Sequence, residues 1–382
     1  MPAVKTDTVG RAPAGVSSTG HIPVSSPAMP AASDLAPYLQ RIDSSGWYSN
    51  FGPLLLEFEA RLAARFGPGA HVVTLANGTL ALTLALEALS LPKGSVCAVP
   101  SWTFVATVHA IRMAGLVPWF VDVRPDTGEL APEGLLAVLS ESPGPVTAAI
   151  PVAAMGRPMD TSAWRDFQDR TGVKVIIDAA AGFDSARTAR VPVMVSLHAT
   201  KTLGVGEGGF IASEDPEFST RLRAMSNFAF QGDRISRHVA TNAKLSEYAA
   251  AVGLAALDRW PATRARYVAA ATRLRLALSD TPAVIFQDGW GSDWVSSTCL
   301  VRLPEGSSDP VEAALEASGI STRRWWGRGC HLAPAFRDCP SRDLPVTEQL
   351  AVSTLGLPFF ADLAAEQVHR TASTLKAVLA GL

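Results

Sequence analysis

One lysine stands out for its surroundings. Lys201 closes the run Ser196-Leu197-His198-Ala199-Thr200-Lys201, and Gly204-Val205-Gly206-Glu207-Gly208-Gly209 follows. Glycines let a backbone pass close to a ligand. A lysine attacks an aldehyde only when deprotonated, so such a lysine needs a desolvated pocket or a cationic neighbour. A surface lysine beside a glycine-rich turn has the same spelling. Upstream, Val175-Ile176-Ile177-Asp178 ends a very apolar run on a carboxylate. The carboxyl ends of parallel strands face the ligand crevice, where a carboxylate can keep a heterocyclic nitrogen protonated; an aspartate there also serves as a helix N-cap. Leu75-Ala76-Asn77-Gly78-Thr79 enters an apolar helix, which suits an anion site with free amides and equally suits plain capping. Pro100-Ser101-Trp102-Thr103-Phe104 puts aromatics after a strand, where a ring can stack on a planar ligand or simply join the core.

The elements that position these residues alternate along the chain. Strands are expected at His71–Leu75, Ser95–Val99, Val117–Val121, Val146–Val152 and Lys174–Ile177, with helices at Leu54–Phe66, Thr79–Leu89, Val105–Ala114, Glu133–Leu139 and Asp160–Thr171. This rhythm implies parallel pairing with helices on both faces. Strands around Val193–Leu197 and Gly208–Ser213 follow, then helices at Phe218–Met225, Leu245–Leu257 and Pro261–Leu278. Past Thr281 the texture becomes α+β, with strands at Val284–Phe286 and Thr298–Leu303 and helices at Pro310–Ser318 and Glu366–Leu379. The expected division is a flexible lead at residues 1–21, a large domain at 22–260 and a small α+β domain at 261–382.

Composition narrows the function classes. The chain has 382 residues, 48% hydrophobic and 18% charged, with 33 basic and 35 acidic residues and a net charge of -2. No long basic run suggests a nucleic-acid footprint. The four cysteines, Cys97, Cys299, Cys330 and Cys339, form no CxxC pair, so neither a metal site nor a disulfide framework is expected. The first residues lack the apolar segment of a secretory signal. No apolar run reaches membrane-spanning length, and a cytoplasmic location is expected.

Together, Asn-Gly-Thr, Pro-Ser-Trp-Thr-Phe-Val-Ala-Thr, Asp-Ala-Ala and Ser-Leu-His-Ala-Thr-Lys with Gly-Glu-Gly-Gly resemble the DegT/DnrJ/EryC1/StrS aminotransferases, over Trp47 to the C-terminus. The resemblance implies an α/β chain of fold type I, with a mostly parallel central sheet and a smaller α+β domain. It implies pyridoxal 5'-phosphate as cofactor, bound covalently by Lys201 as a Schiff base, with Lys201 also shuttling the substrate proton. Asp178 would pair with the pyridinium nitrogen, and Gly78, Thr79 and Ser196 would hold the phosphate. Phe104 would stack on the ring, with Trp102 the less favoured stacker and His198 beside the cofactor. Asn242, in Thr241-Asn242-Ala243-Lys244-Leu245-Ser246-Glu247, would reach a phosphate in the partner subunit of a homodimer with shared sites. Tyr48, Asn50 and His331 match the family's substrate-side segments. The reaction implied moves an amino group, from L-glutamate as usual donor, to a nucleotide-linked keto-sugar such as a 4-keto-6-deoxyhexose. A cyclitol acceptor is the alternative. The related dehydratases carry histidine at the lysine position, and a non-catalytic regulator need not keep the whole set.

Three departures stand out. Ala181 replaces the family's Gln or His beside the ring, the stretch from Asp178 to Ser196 is shortened, and Lys244 stands where Arg is common. Arg323, Arg324, Trp325, Trp326 and Arg328 could hold a pyrophosphate or base, or be packing and surface charge.

Overall fold

The computed structural model describes residues 20–382; residues 1–19, most of the expected N-terminal lead, lie outside the described residues. The chain opens with helices α1 (Ala32–Ser45) and α2 (Pro53–Ala63). It then alternates through β1 (His71–Leu75), α3 (Gly78–Ala88), β2 (Val96–Pro100), α4 (Val105–Met113), β3 (Val117–Val121), α5 (Pro132–Val138), β4 (Val146–Ala149) and α6 (Thr161–Thr171). Next come β5 (Lys174–Val175), β6 (Ile177–Asp178), β7 (Val193–Ser196), β8 (Gly209–Ser213), α7 (Pro216–Met225) and the long α8 (Glu247–Ala277). The remainder is β9 (Ile285–Phe286), β10 (Cys299–Arg302), α9 (Ser308–Ala317), α10 (Pro345–Ser353), β11 (Thr354–Leu357) and α11 (Ala365–Ala380).

Two four-stranded sheets, ordered β3-β2-β4-β5 and β6-β7-β8-β1, meet along one extended run. β5 and β6 are separated only at Ile176, whose N–H still bonds Ala149 O at 3.1 Å, while Asp178 N bonds Pro151 O at 2.9 Å. The strands therefore read as one surface that delivers Asp178 to its carboxyl edge. Pairing is parallel across β3, β2, β4 and β5 and between β6 and β7, but β8 is antiparallel to both β7 and β1. The twelve residues between β7 and β8 form no helix and fold back on themselves through bonds such as Val205 N to Leu197 O, so β8 returns antiparallel beside β7.

α3 is apolar nearly all round, as a helix enclosed by protein must be. α8 packs on α2, where Gly253 faces Phe58, a ring removed from water entirely. Burying such a side chain contributes about 1.5–3 kcal/mol. The two helices expected at Leu245–Leu257 and Pro261–Leu278 are one helix here, with Pro261 inside it, so the expected division at residues 260 and 261 falls within a continuous element. Past α8, β11-β10-β9 form a separate antiparallel sheet, with α9 against β11 and α11 packed on α9 and α8, in the expected α+β texture. α10 and β11 are additions to the expected elements. Ile22 pairs with Ile320, and Phe359 N bonds Val24 O at 3.0 Å, so the first described residues are stitched to this C-terminal unit. Among the described residues, no helix is long and apolar enough to cross a membrane.

The α2–α8 contact makes a direct prediction. A Cβ on Gly253 would lie 2.4 Å from Phe58 Cζ. Gly253→Ala should lower the urea unfolding free energy by about 1–3 kcal/mol, although alanine favours helix, because the ring has to move. An unchanged or raised midpoint would show that the helices are not in contact there.

Candidate active site

Asp178 closes β6 with 4% of its surface exposed. Its Oδ1 accepts the Ala180 N–H at 3.0 Å and its Oδ2 accepts the Thr107 hydroxyl at 2.7 Å. Thr107 sits on the first turn of α4, and its hydroxyl is 2.9 Å from that of Thr103, four residues earlier in the turn before the helix. Burial pushes the Asp178 carboxyl above its ordinary value, and the Thr107 and Ala180 bonds and the Lys201 charge pull it back. Lys201 shows the mirror image: burial pushes its ammonium below the ordinary 10.5, with Asp178 opposing. Desolvation leads in both groups, as it must where charge leaves water.

A tight turn carries Lys201 between β7 and β8. Ala199 N bonds Gly206 O at 2.8 Å, Val205 N bonds Leu197 O at 2.8 Å and Lys201 N bonds His198 O at 2.8 Å. His198 works inside this turn, with Nδ1 at 2.8 Å from the Thr200 hydroxyl and Nε2 at 3.6 Å from Glu207. The structure thus shows it bracing the turn that carries Lys201.

The expected anion cradle takes shape at the start of α3. The Asn77 side chain caps Leu80 N at 2.9 Å. Gly78 and Thr79 lie in the first turn of α3, where amides have no acceptor within a helix. A Cβ on Gly78 would lie 3.6 Å from Ser196 Cβ, so Ser196 faces the cradle. Gly209 backs it: a Cβ there would meet Gly78 N at 2.8 Å, which is why β8 begins on glycine.

The two aromatics of the Pro100–Phe104 turn separate cleanly. Phe104 is 60% exposed at the entry of α4, with its ring open. Trp102 is 3% exposed and packs edge-on against Trp326 at 5.3 Å, in a cluster with Val123, Leu350 and Ala351. The Trp102 ring, the less favoured stacker, is walled into a hydrophobic cluster, and Phe104 is the ring left open. The arginine–tryptophan run resolves partly the same way. Arg324 is held by Asp309 at 2.6 Å and Glu312 at 2.9 Å, and Trp326 is the packing partner just named.

Asn242 is exposed, and its side-chain oxygen accepts from Lys244 Nζ at 2.7 Å, as does that of Asn227. Lys244 also lies over the Phe228 ring at 5.2 Å. This segment joins the end of β1 through Ala76 N to Ala243 O at 2.8 Å, which places it beside the Asn77–Thr79 turn of its own chain. Tyr48 and Asn50 are exposed in the loop before α2, and the backbone of Asn50 and Phe51 is left-handed, with φ of 63° and 62°. Glu247, 1% exposed at the start of α8, holds that loop: its carboxylate accepts Leu54 N at 2.9 Å and Leu55 N at 2.8 Å. Such charge-assisted bonds contribute about 1.5–3 kcal/mol each. His331 lies against the large sheet's edge, with Nδ1 at 2.7 Å from the Ser101 hydroxyl. Burial lowers its pKa. Thr107, Glu247 and Ser101 were not read from the sequence; the i, i+4 spacing of Thr103 and Thr107 was the one available signal.

The crevice fits a pyridine-based cofactor with a phosphate arm. Asp178 is buried, and the Lys201 charge only partly offsets that burial, so a cationic ring nitrogen would add a counter-charge to the carboxylate. No group of three or more His, Cys, Asp or Glu side chains able to hold a metal occurs among the described residues.

Comparisons with known proteins agree with this geometry. The sequence pattern of the DegT/DnrJ/EryC1/StrS aminotransferase family matches residues 31–376. The erythromycin biosynthesis sensory transduction protein EryC1 of Saccharopolyspora erythraea is 33% identical, over 90% of this chain and 95% of that protein. DesI, solved in the presence of its TDP-sugar product, superposes with a TM-score of 0.84 at 33% identity, over 94% of this chain and 93% of that one. A Bacillus cereus structure described as a PLP-dependent aminotransferase superposes with a TM-score of 0.87 at 28% identity, over 93% of this chain and all of that one. The chain thus belongs to the DegT/DnrJ/EryC1/StrS aminotransferase family, and it is a PLP-dependent aminotransferase of fold type I.

Proposed function

We propose that this enzyme moves an amino group from L-glutamate to a nucleotide-linked keto-sugar, a 4-keto-6-deoxyhexose, in amino-sugar or glycoside biosynthesis. The observation that carries the chemistry is the buried Asp178 carboxyl within reach of the charge of the partly buried Lys201 amine. What supports the acceptor class is the 33% identity to DesI, whose product is a TDP-sugar.

When bound, the cofactor supplies an electron-withdrawing ring that takes up negative charge from the substrate carbon. The chain does the rest. Asp178, oriented by Thr107 and Ala180, holds the proton on the ring nitrogen. Lys201 takes a proton at Nζ from the amine-bearing carbon and returns one on the acceptor side, and burial, by lowering its pKa, favours the free amine that this needs. Gly78, Thr79 and Ser196 hold the phosphate, and Phe104 covers one ring face. Tyr48, Asn50 and His331 face the sugar nucleotide. Asn242 completes the phosphate site of a second copy, so the working unit is a homodimer, placed in the cytoplasm. Residues 22–260 and 261–382 act as large and small lobes joined through α8.

Three outcomes follow. Purified holoenzyme offered glutamate and a panel of nucleotide-linked keto-sugars should form 2-oxoglutarate and an aminated sugar nucleotide; transfer only to a keto-cyclitol would overturn the acceptor reading. Asp178→Asn should lower kcat/KM on the order of a hundredfold or more, and Thr107→Val about tenfold. A Thr107→Val enzyme with wild-type kinetics would show that the hydroxyl does not orient the carboxylate. Capture of added pyridoxal phosphate, followed by its absorbance band against pH, should have its midpoint below 10.5, because the folded protein holds Lys201 below that ordinary value and so favours the free amine. A profile centred on 10.5 would mean that burial does not deprotonate this lysine.

A further inference from the structure

We propose that Ser101 fixes the tautomer of His331 and so makes this histidine a hydrogen-bond donor to an oxygen of the keto-sugar substrate, not a proton-accepting base. The substrate part rests on the placement of His331 beside the sugar given above.

The argument is a count of protons around one buried hydroxyl. Ser101 is fully buried. Its Oγ accepts the backbone N–H of His331 at 3.0 Å and lies 2.7 Å from His331 Nδ1. A serine hydroxyl has one proton to give and two lone pairs. If Nδ1 carried hydrogen, the oxygen would accept twice from His331, and its own proton would be left without an acceptor on a side chain with no exposed surface. Leaving a buried donor unmade is the costly alternative. The hydroxyl therefore donates to Nδ1, and the ring's hydrogen sits on Nε2.

The surrounding loop allows no other arrangement of the ring. Cys330 N bonds Ser101 O at 2.9 Å, and Cys330 Sγ lies 3.2 Å from Thr103 O. A Cβ on Gly329, whose φ is +93°, would lie 2.9 Å from Ser101 Oγ, so the chain passes here with no slack. A flipped ring would turn carbon toward the hydroxyl and lose the bond. The outward nitrogen, Nε2, has Glu348 Oε1 at 3.9 Å, beyond hydrogen-bond length, on a side chain that is 66% exposed. Burial and Arg328 favour the neutral ring, while Glu348 and Asp122 oppose them. Nε2–H thus points outward with its hydrogen bond unmade. It suits a hydroxyl, carbonyl or phosphate oxygen, and it disfavours an ammonium, which brings only donors.

The test reads nitrogen protonation directly. In histidine-labelled holoenzyme at neutral pH, with His331→Gln used to assign the signal among the seven histidines, nitrogen–proton correlation should show Nδ1 bare and Nε2 protonated. In Ser101→Ala that pattern should give way to mixed tautomers. With a TDP-linked 4-keto-6-deoxyhexose as probe, Ser101→Ala and His331→Ala should each raise the sugar KM about tenfold, the size of one lost hydrogen bond. His331→Gln, whose amide also donates, should stay within about threefold of wild type. Protonated Nδ1 in the wild type overturns the Ser101 assignment. Equal damage from Gln and Ala overturns the donor role. If the wild type aminates none of the keto-sugars, the substrate reading fails and takes the donor role with it, while the nitrogen spectrum still decides the tautomer.

Discussion

A buried carboxyl and a partly buried amine face each other at the carboxyl edge of the sheet, and burial acts on them in opposite directions. It favours a protonated Asp178 and a neutral Lys201, and each group's charge partly offsets the cost carried by the other. A lone buried charge at either position would be expensive. The rest of the site reads as the means of keeping this pair in place and nearly out of water. The β5–β6 run brings Asp178 to the edge, Thr107 and the Ala180 amide hold its two oxygens, and the turn between β7 and β8 closes around Lys201 with backbone bonds of 2.8 Å.

A second layer ties distant segments to that centre. Glu247 fastens the loop before α2 to the start of α8, four residues after Ala243 has bonded the end of β1. Ser101, next to the strand that leads into α4, fastens the loop of His331. In each case a buried polar side chain makes two bonds to one partner segment, so the loop's position follows from the sheet. Exposed residues such as Phe104, Tyr48 and Asn50 are then held on rigid supports while their own surfaces stay open.

Local signals were legible in the sequence. Lys201, Asp178 and the Asn77–Thr79 turn each follow from a strand end and the few residues after it, and the structure places them where that logic puts them. The resemblance ranked Phe104 above Trp102 as the stacker, but the reason was not legible in the residues, because both follow the same strand and only the position of Trp326, more than two hundred residues away, walls one ring in. Thr107, Ser101 and Glu247 were hidden for the same reason: a threonine on an apolar helix or a serine after a strand has no signature until its partner is folded against it. Pro261 misled in the other direction. Read as a helix end, it sits inside the 31-residue α8, where packing along the helix outweighs a local breaking tendency. The antiparallel β8 also escaped a reading based on strand–helix rhythm, since no helix separates it from β7.

The central claim is that Lys201 is the residue made reactive by this crevice. Reducing the holoenzyme with borohydride and mapping its peptides by mass spectrometry tests it most directly. The account predicts a pyridoxyl phosphate adduct on the peptide containing Lys201 and on no other lysine. An adduct on another lysine, such as the partly buried Lys244, or no adduct on a protein that has been given the cofactor, would contradict it.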